Sequence, residues 1–93
     1  PNNLEFTINA DTNIEKVALI RNNAVPYEIT VFPSTFVFTS GDDLKFTPTI
    51  TEGYLLNGWV FNDGSVPVTT PALNMPNVSG NFTVTVTSKA AIP

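Results

Sequence analysis

Few side chains in this sequence can do chemistry. The acidic residues are Glu5, Asp11, Glu15, Glu28, Asp42, Asp43, Glu52 and Asp63, and the chain has no histidine and no cysteine. That removes the commonest general base, thiol nucleophiles and the usual zinc ligands. A carboxylate pair can cleave a glycoside only when its two groups stand about 5–10 Å apart in a cleft. Asp42 and Asp43 are adjacent and follow Ser40-Gly41, a turn in which aspartate caps backbone amides. Calcium is the more serious candidate, because clustered Asp and Asn oxygens bind it in many β modules. Asp42, Asp43 and Asp63 would serve if their turns met at one end of the fold, yet "NGWVFNDG" lacks the spacing of a known calcium loop. The reading is a non-enzyme with no catalytic, cofactor-binding or metal-binding residues assigned and no cofactor expected.

The other candidate is Trp59, the single tryptophan, set in "EGYLLNGWVFNDGS". Asn57-Gly58 and Asn62-Asp63-Gly64 both have the form of hairpin turns, but two turns this close would leave almost no strand between them. Gly58 is better read as a glycine inside a strand over Tyr54–Phe61, marking a bulge or the close approach of another group. A bulge after Leu56 breaks the alternation and turns Trp59 inward. A buried aromatic removes about 150–250 Å² from water, so the expectation is a core plug and not a ligand platform. The threonines Thr83, Thr85 and Thr87 could form an ice- or glycan-facing ladder. They read more simply as the polar face of a strand. Asn77-Val78-Ser79 and Asn81-Phe82-Thr83 match the glycosylation pattern, which arises readily by chance in an Asn- and Thr-rich chain.

The elements that must position these residues are strands. Leu4–Ala10 alternates Leu4, Phe6 and Ile8 with polar residues, and Asn81–Ser88 repeats the pattern with Phe82, Val84 and Val86. "PYEITVF", "TFVFTS" and "DLKFTPT" add three more β-rich segments, the last with Pro48 at an edge or a bulge. Tyr27 and Phe32 stand at opposite parity, so both cannot face one core: either one of them is exposed as a contact patch, or a second packed layer or a neighbouring domain covers it. Residues 12–21 read as a strand leading to a turn at Asn22-Asn23. One short helix is the alternative there, because Thr12-x-x-Glu15 has the form of a capping box and Ile14, Val17 and Ala18 have helical spacing.

Composition sets the remaining bounds. The 93 residues suffice for one small domain over 1–93, and 42% hydrophobic against 13% charged content argues for a folded one. Net charge is −4, and Lys16, Arg21, Lys45 and Lys89 are too scattered to form a phosphate-binding patch. Neither nucleic acid nor membrane insertion is expected. The chain opens on Pro1, which suggests a module excised from a longer multidomain protein, with neighbouring domains as its partners. The fold class is mainly β: a single small antiparallel β domain, either β-grasp-like or an Ig-like sandwich.

Gly53-Tyr54, Gly58-Trp59, Met75-Pro76 and Phe82–Val86 together resemble the bacterial InlB B-type repeat in its divergent form, over roughly residues 40–88. "SGDDLKFTPT" is similar to the strand that precedes its Gly-Tyr pair, whereas "YEITVFPSTFVF" looks like an insertion. The resemblance implies a non-catalytic β-grasp-like module, arrayed in secreted or surface-attached bacterial proteins as a spacer or adhesion unit. "WVFNDGS" followed by "GNFTVTVT" is also similar to PKD and other Ig-like domains. That likeness keeps open a structural or decoration domain of a phage virion, and a calcium- or carbohydrate-binding accessory module is a third reading. The protein or glycan ligand is unspecified in each.

Overall fold

The computed structural model describes residues 3–62, 64 and 66–91. They form strands β1 (Asn3–Ala10), β2 (Ile14–Arg21), β3 (Tyr27–Ile29), β4 (Ser34–Thr39), β5 (Asp42–Ile50), β6 (Tyr54–Phe61), β7 (Leu73–Val78) and β8 (Phe82–Ala90). Two four-stranded sheets result, ordered β4-β1-β8-β6 and β3-β2-β5-β7. Every pairing is antiparallel except that of β1 with β8. No helix occurs among the described residues, so of the two architectures left open by the sequence this is the sandwich.

Each sheet buries one face, as period-2 alternation demands. Phe6, Ile8, Phe38, Trp59, Val84 and Val86 come from the first sheet, and Ile14, Val17, Leu19, Ile29, Leu44, Phe46 and Leu73 from the second; all are buried in one core. Phe6 lies at its centre. Its ring stands 5.4 Å from Phe36, 5.8 Å from Phe38, 5.2 Å from Phe82 and 5.4 Å from Phe46 of the opposite sheet, centroid to centroid.

The helix considered for 12–21 is absent, and the reason is a bulge. Ile14–Arg21 is β2, and its register with β5 slips between Ile14 and Lys16. The extra residue, Glu15, reverses the alternation, so Ile14 and Val17 both face inward three residues apart. That spacing imitates a helix. Asn22 and Asn23 take positive φ of 53° and 60° in the turn that joins β2 to β3 as a hairpin. Pro48 sits where β5 has a neighbour on one side only. It pairs with Val17 of β2, while the β7 register ends at Phe46, so no ladder bond is lost there.

"PYEITVF" forms a strand only over Tyr27–Ile29. Ser40-Gly41 is a tight turn with Gly41 at φ 96°, but the strands it joins belong to different sheets. The chain therefore steps across the sandwich at this point instead of folding back on itself.

Candidate functional site

Trp59 lies on β6, fully buried. The register between β6 and β8 slips between Leu56 and Gly58, which makes Asn57 the extra residue of a bulge. Asn57 Nδ2 donates to Thr87 Oγ1 at 3.3 Å, and Thr87 Oγ1 donates to the Gly58 carbonyl at 3.1 Å, fastening the bulge from the neighbouring strand. Leu56 and Trp59 thereby both turn toward the core. Residues 66–72 pass over the indole as a strap. Trp59 N–H donates to the Val68 carbonyl at 2.7 Å, Val68 N–H donates to Trp59 O at 3.0 Å, and indole Nε1–H donates to the Thr70 carbonyl at 3.1 Å. A Cβ on Gly58 would stand 3.1 Å from the Val68 carbonyl oxygen, so glycine permits the close approach that its position suggested. The indole is covered and its donor satisfied, which makes this stretch architecture.

The carboxylates of Asp42 and Asp43 are occupied by backbone and side-chain donors. Asp42 Oδ2 accepts from Arg21 Nε at 2.7 Å and from Thr39 N–H at 2.9 Å, and Oδ1 accepts from Asn22 Nδ2 at 3.0 Å. Asp43 Oδ1 accepts from Asn77 N–H, and Asp43 N–H donates to Asn22 Oδ1, both at 2.8 Å. This cluster ties β2, β4, β5 and β7 together at one end of the sandwich. It is the amide capping expected of Asp42 and Asp43. Asp63, the third residue of the calcium reading, lies outside the described residues. Among the described residues no three of His, Cys, Asp and Glu gather in a group suited to a metal ion.

A second knot was not legible beforehand. Asp11 follows β1, and its Oδ2 accepts from Ser88 N–H at 2.6 Å while Oδ1 accepts from Asn13 N–H at 2.9 Å. Ser88 Oγ donates to both oxygens at 2.9 Å. The signal present in the sequence was Asp11-x-Asn13, an aspartate positioned to cap the amide two residues on. Its partner Ser88 is 77 positions away and carries no local mark.

These bonds lower both carboxyl pKa values. Burial pushes the Asp11 carboxyl up, but the amides of Ser88 and Asn13 and the Ser88 hydroxyl outweigh it and hold the group below its ordinary range. At Asp42 the Asn22 amide leads, joined by Thr39 N–H and the Arg21 guanidinium, against an upward push from partial burial. A carboxyl with a lowered native pKa binds fewer protons folded than unfolded, so it adds stability above the ordinary carboxylate pKa of about 4. That contribution drains away as pH falls through the native value. Melting temperature should therefore hold level from neutrality to about pH 5 and drop below about pH 4. In Asp11→Asn the acid-side slope should be shallower, as a thermal melting series across pH would record.

The remaining sequence candidates sit apart. Thr83, Thr85 and Thr87 are half-buried between the buried Val84 and Val86, and form the outer row of β8. Asn77 and Asn81 are exposed, and Asn81 Oδ1 accepts from Glu5 N–H at 2.8 Å. Tyr27 is the exposed member of the Tyr27/Phe32 pair, and Phe32 packs against the core. One depression of about 280 Å³ is lined by Asp43, Lys45, Met75 and Pro76 among others, and one of about 220 Å³ by Glu5, Thr7, Asn62, Asn81 and Thr83. Neither brings two carboxylates together. No family model, curated protein or solved structure matches the chain.

Proposed function

We propose that this chain is a non-catalytic structural module, a spacer or adhesion unit of a bacterial surface or secreted protein. The observation that carries the proposal is the placement of the first and last strands. β1 and β8 are parallel neighbours, from Phe6 opposite Phe82 to Ala10 opposite Val86. The chain consequently enters at one end of the sandwich and leaves at the other, an arrangement suited to modules strung in series. Tension between the two ends loads the β1–β8 ladder in shear, so its hydrogen bonds must fail together and not one after another. The Asp11–Ser88 bonds add a further tie across the same pair. The covered indole and the saturated Asp42 and Asp11 support a structural role. Gly58-Trp59, one of the pairs that resemble the InlB B-type repeat, falls on structure-making features here, a bulge and a core plug, although the sandwich is not the β-grasp-like fold that the resemblance implies.

Single-molecule stretching tests this reading. Pulled from its ends, the module should resist a markedly higher force than when anchored at Asn13 and Ala91. Those two positions lie at the same end of β1 and β8, so force there peels the strands apart. The absence of native cysteine makes both attachments selective. Equal unfolding forces in the two geometries would remove the mechanical basis of the proposal.

A further inference from the structure

Both sheets have open edges, and three of the four are blunted in ways that discourage pairing with another chain. β3 is three residues long, follows Pro26, and carries Glu28, whose carboxylate pairs with Lys16 Nζ at 3.0 Å. β7 contains Pro76 and a register slip against β5. β6 is bridged along its outer side by the backbone of Val68. β4 has none of these devices. Ser34–Thr39 holds no proline and no ionisable side chain.

Two hydrogen bonds reveal which groups β4 presents. Glu5 N–H donates to Asn81, on the β8 side of β1, and not to Val37, its partner on β4. Thr39 N–H donates to Asp42 and not to Asn3. In an antiparallel ladder, residues whose backbone groups turn away from the neighbour alternate with those that bond to it. Thr35, Val37 and Thr39 are therefore the outward set, while Ser34, Phe36 and Phe38 bond to β1. The Thr7–Thr35 hydroxyl contact at 2.9 Å agrees, since non-hydrogen-bonded pairs bring side chains closest. Asp42 occupies the Thr39 amide. No described group bonds to the backbone N–H or C=O of Thr35 or Val37.

We propose that β4 is a self-association edge, at which two copies of this chain pair their β4 strands antiparallel about a two-fold axis through Phe36. In that register Thr35 faces Val37 of the second copy, and Val37 faces its Thr35. Each pair exchanges two backbone hydrogen bonds, and Phe36 meets its own counterpart between them. In this register the N–H and C=O of both Thr35 and Val37 are used, whereas centring on Val37 would bring in Thr39, whose amide Asp42 already holds. Charge permits the approach despite the net −4, because the strand is neutral and Arg21 at its flank is paired with Asp42 at 2.7 Å. The apolar surface that such a dimer covers is present too. A groove of about 230 Å³ between β3 and β4 is lined by Tyr27, Phe36, Val37 and Leu19. Of these, Tyr27 and Val37 are 59% and 57% exposed. The result is one continuous eight-stranded sheet, and it stands whether or not the module serves as a spacer.

Sedimentation of the isolated chain over a concentration series reaching the millimolar range tests this. The mass should move from monomer to dimer, and the Thr35 and Val37 amides should gain protection from hydrogen exchange in step with it. Val37→Pro deletes one outward N–H per copy and leaves the bonds to β1 intact. Losing two of four hydrogen bonds should weaken the dimer by about tenfold to a hundredfold. Val37→Lys, which places a charge on the exposed side chain, should do likewise, and it decides the matter if Val37→Pro loses the near-ultraviolet signature of buried Trp59. A monomer at every concentration, even one that binds a foreign strand, overturns the proposal. So does a dimer that both variants leave unchanged.

Discussion

Trp59→Ala is expected to destabilise the fold by about 3–5 kcal/mol, the usual cost of emptying a fully enclosed aromatic site. Trp59 is fully buried and its ring lies 6.3 Å from that of Phe46, so the vacated space opens into the core between the sheets. The strap cannot simply collapse into it. Residues 66–72 are held at a fixed height by the two backbone bonds between Val68 and Trp59, which survive the substitution. A domain of 93 residues has only about 5–10 kcal/mol in hand, so the variant should unfold at a far lower denaturant midpoint. Far-ultraviolet circular dichroism in urea reads this without the lost fluorophore. A midpoint within error of the parent would mean that the indole contributes nothing to the core.

Phe6→Ala should be as damaging, at about 3–5 kcal/mol, for a different reason. Phe6 joins β1 to β4 through Phe36 and Phe38, to β8 through Phe82, and to the opposite sheet through Phe46. Each such aromatic pair contributes about 0.5–1.5 kcal/mol beyond the area it buries. Phe6→Leu, which keeps most of the volume, should recover a large part of the loss. Both Phe6 and Trp59 lean on Phe46, so their effects are coupled through a shared neighbour. The double Ala variant should not fold at all. Urea midpoints of the two single variants and the Leu replacement, measured side by side, check the ordering.

Much of this could be read before any coordinates. The alternations of Leu4–Ala10 and Asn81–Ser88 mark β1 and β8, because a half-buried sheet needs apolar residues on one face only. Gly58 could be read as a bulge because two tight turns cannot flank so short a strand. Ile14 and Val17 were ambiguous for the opposite reason: a bulge at Glu15 writes a helix-like spacing into a strand, and only pairing with β5 separates the two. The cluster around Asp42 was half legible. Its turn could be recognised, but Arg21 and Asn22 arrive from another strand. The Asp11–Ser88 bond had no local trace at all.

Local chemistry thus determined by itself that the chain is β-rich, where most strands lie, that Trp59 belongs inside, and that Gly58 must stay small. Alternation and turn residues act over a few positions, and their cost is settled wherever the strand ends up. Tertiary structure alone decided which strands are neighbours: that β1 lies between β4 and β8, that Ser40-Gly41 crosses between sheets, and that β4 keeps an uncovered edge. Any apolar-faced strand can pair with any other at similar local energy. The choice among them is made by the simultaneous closure of one core, in which Phe6, Phe46 and Trp59 must all find room.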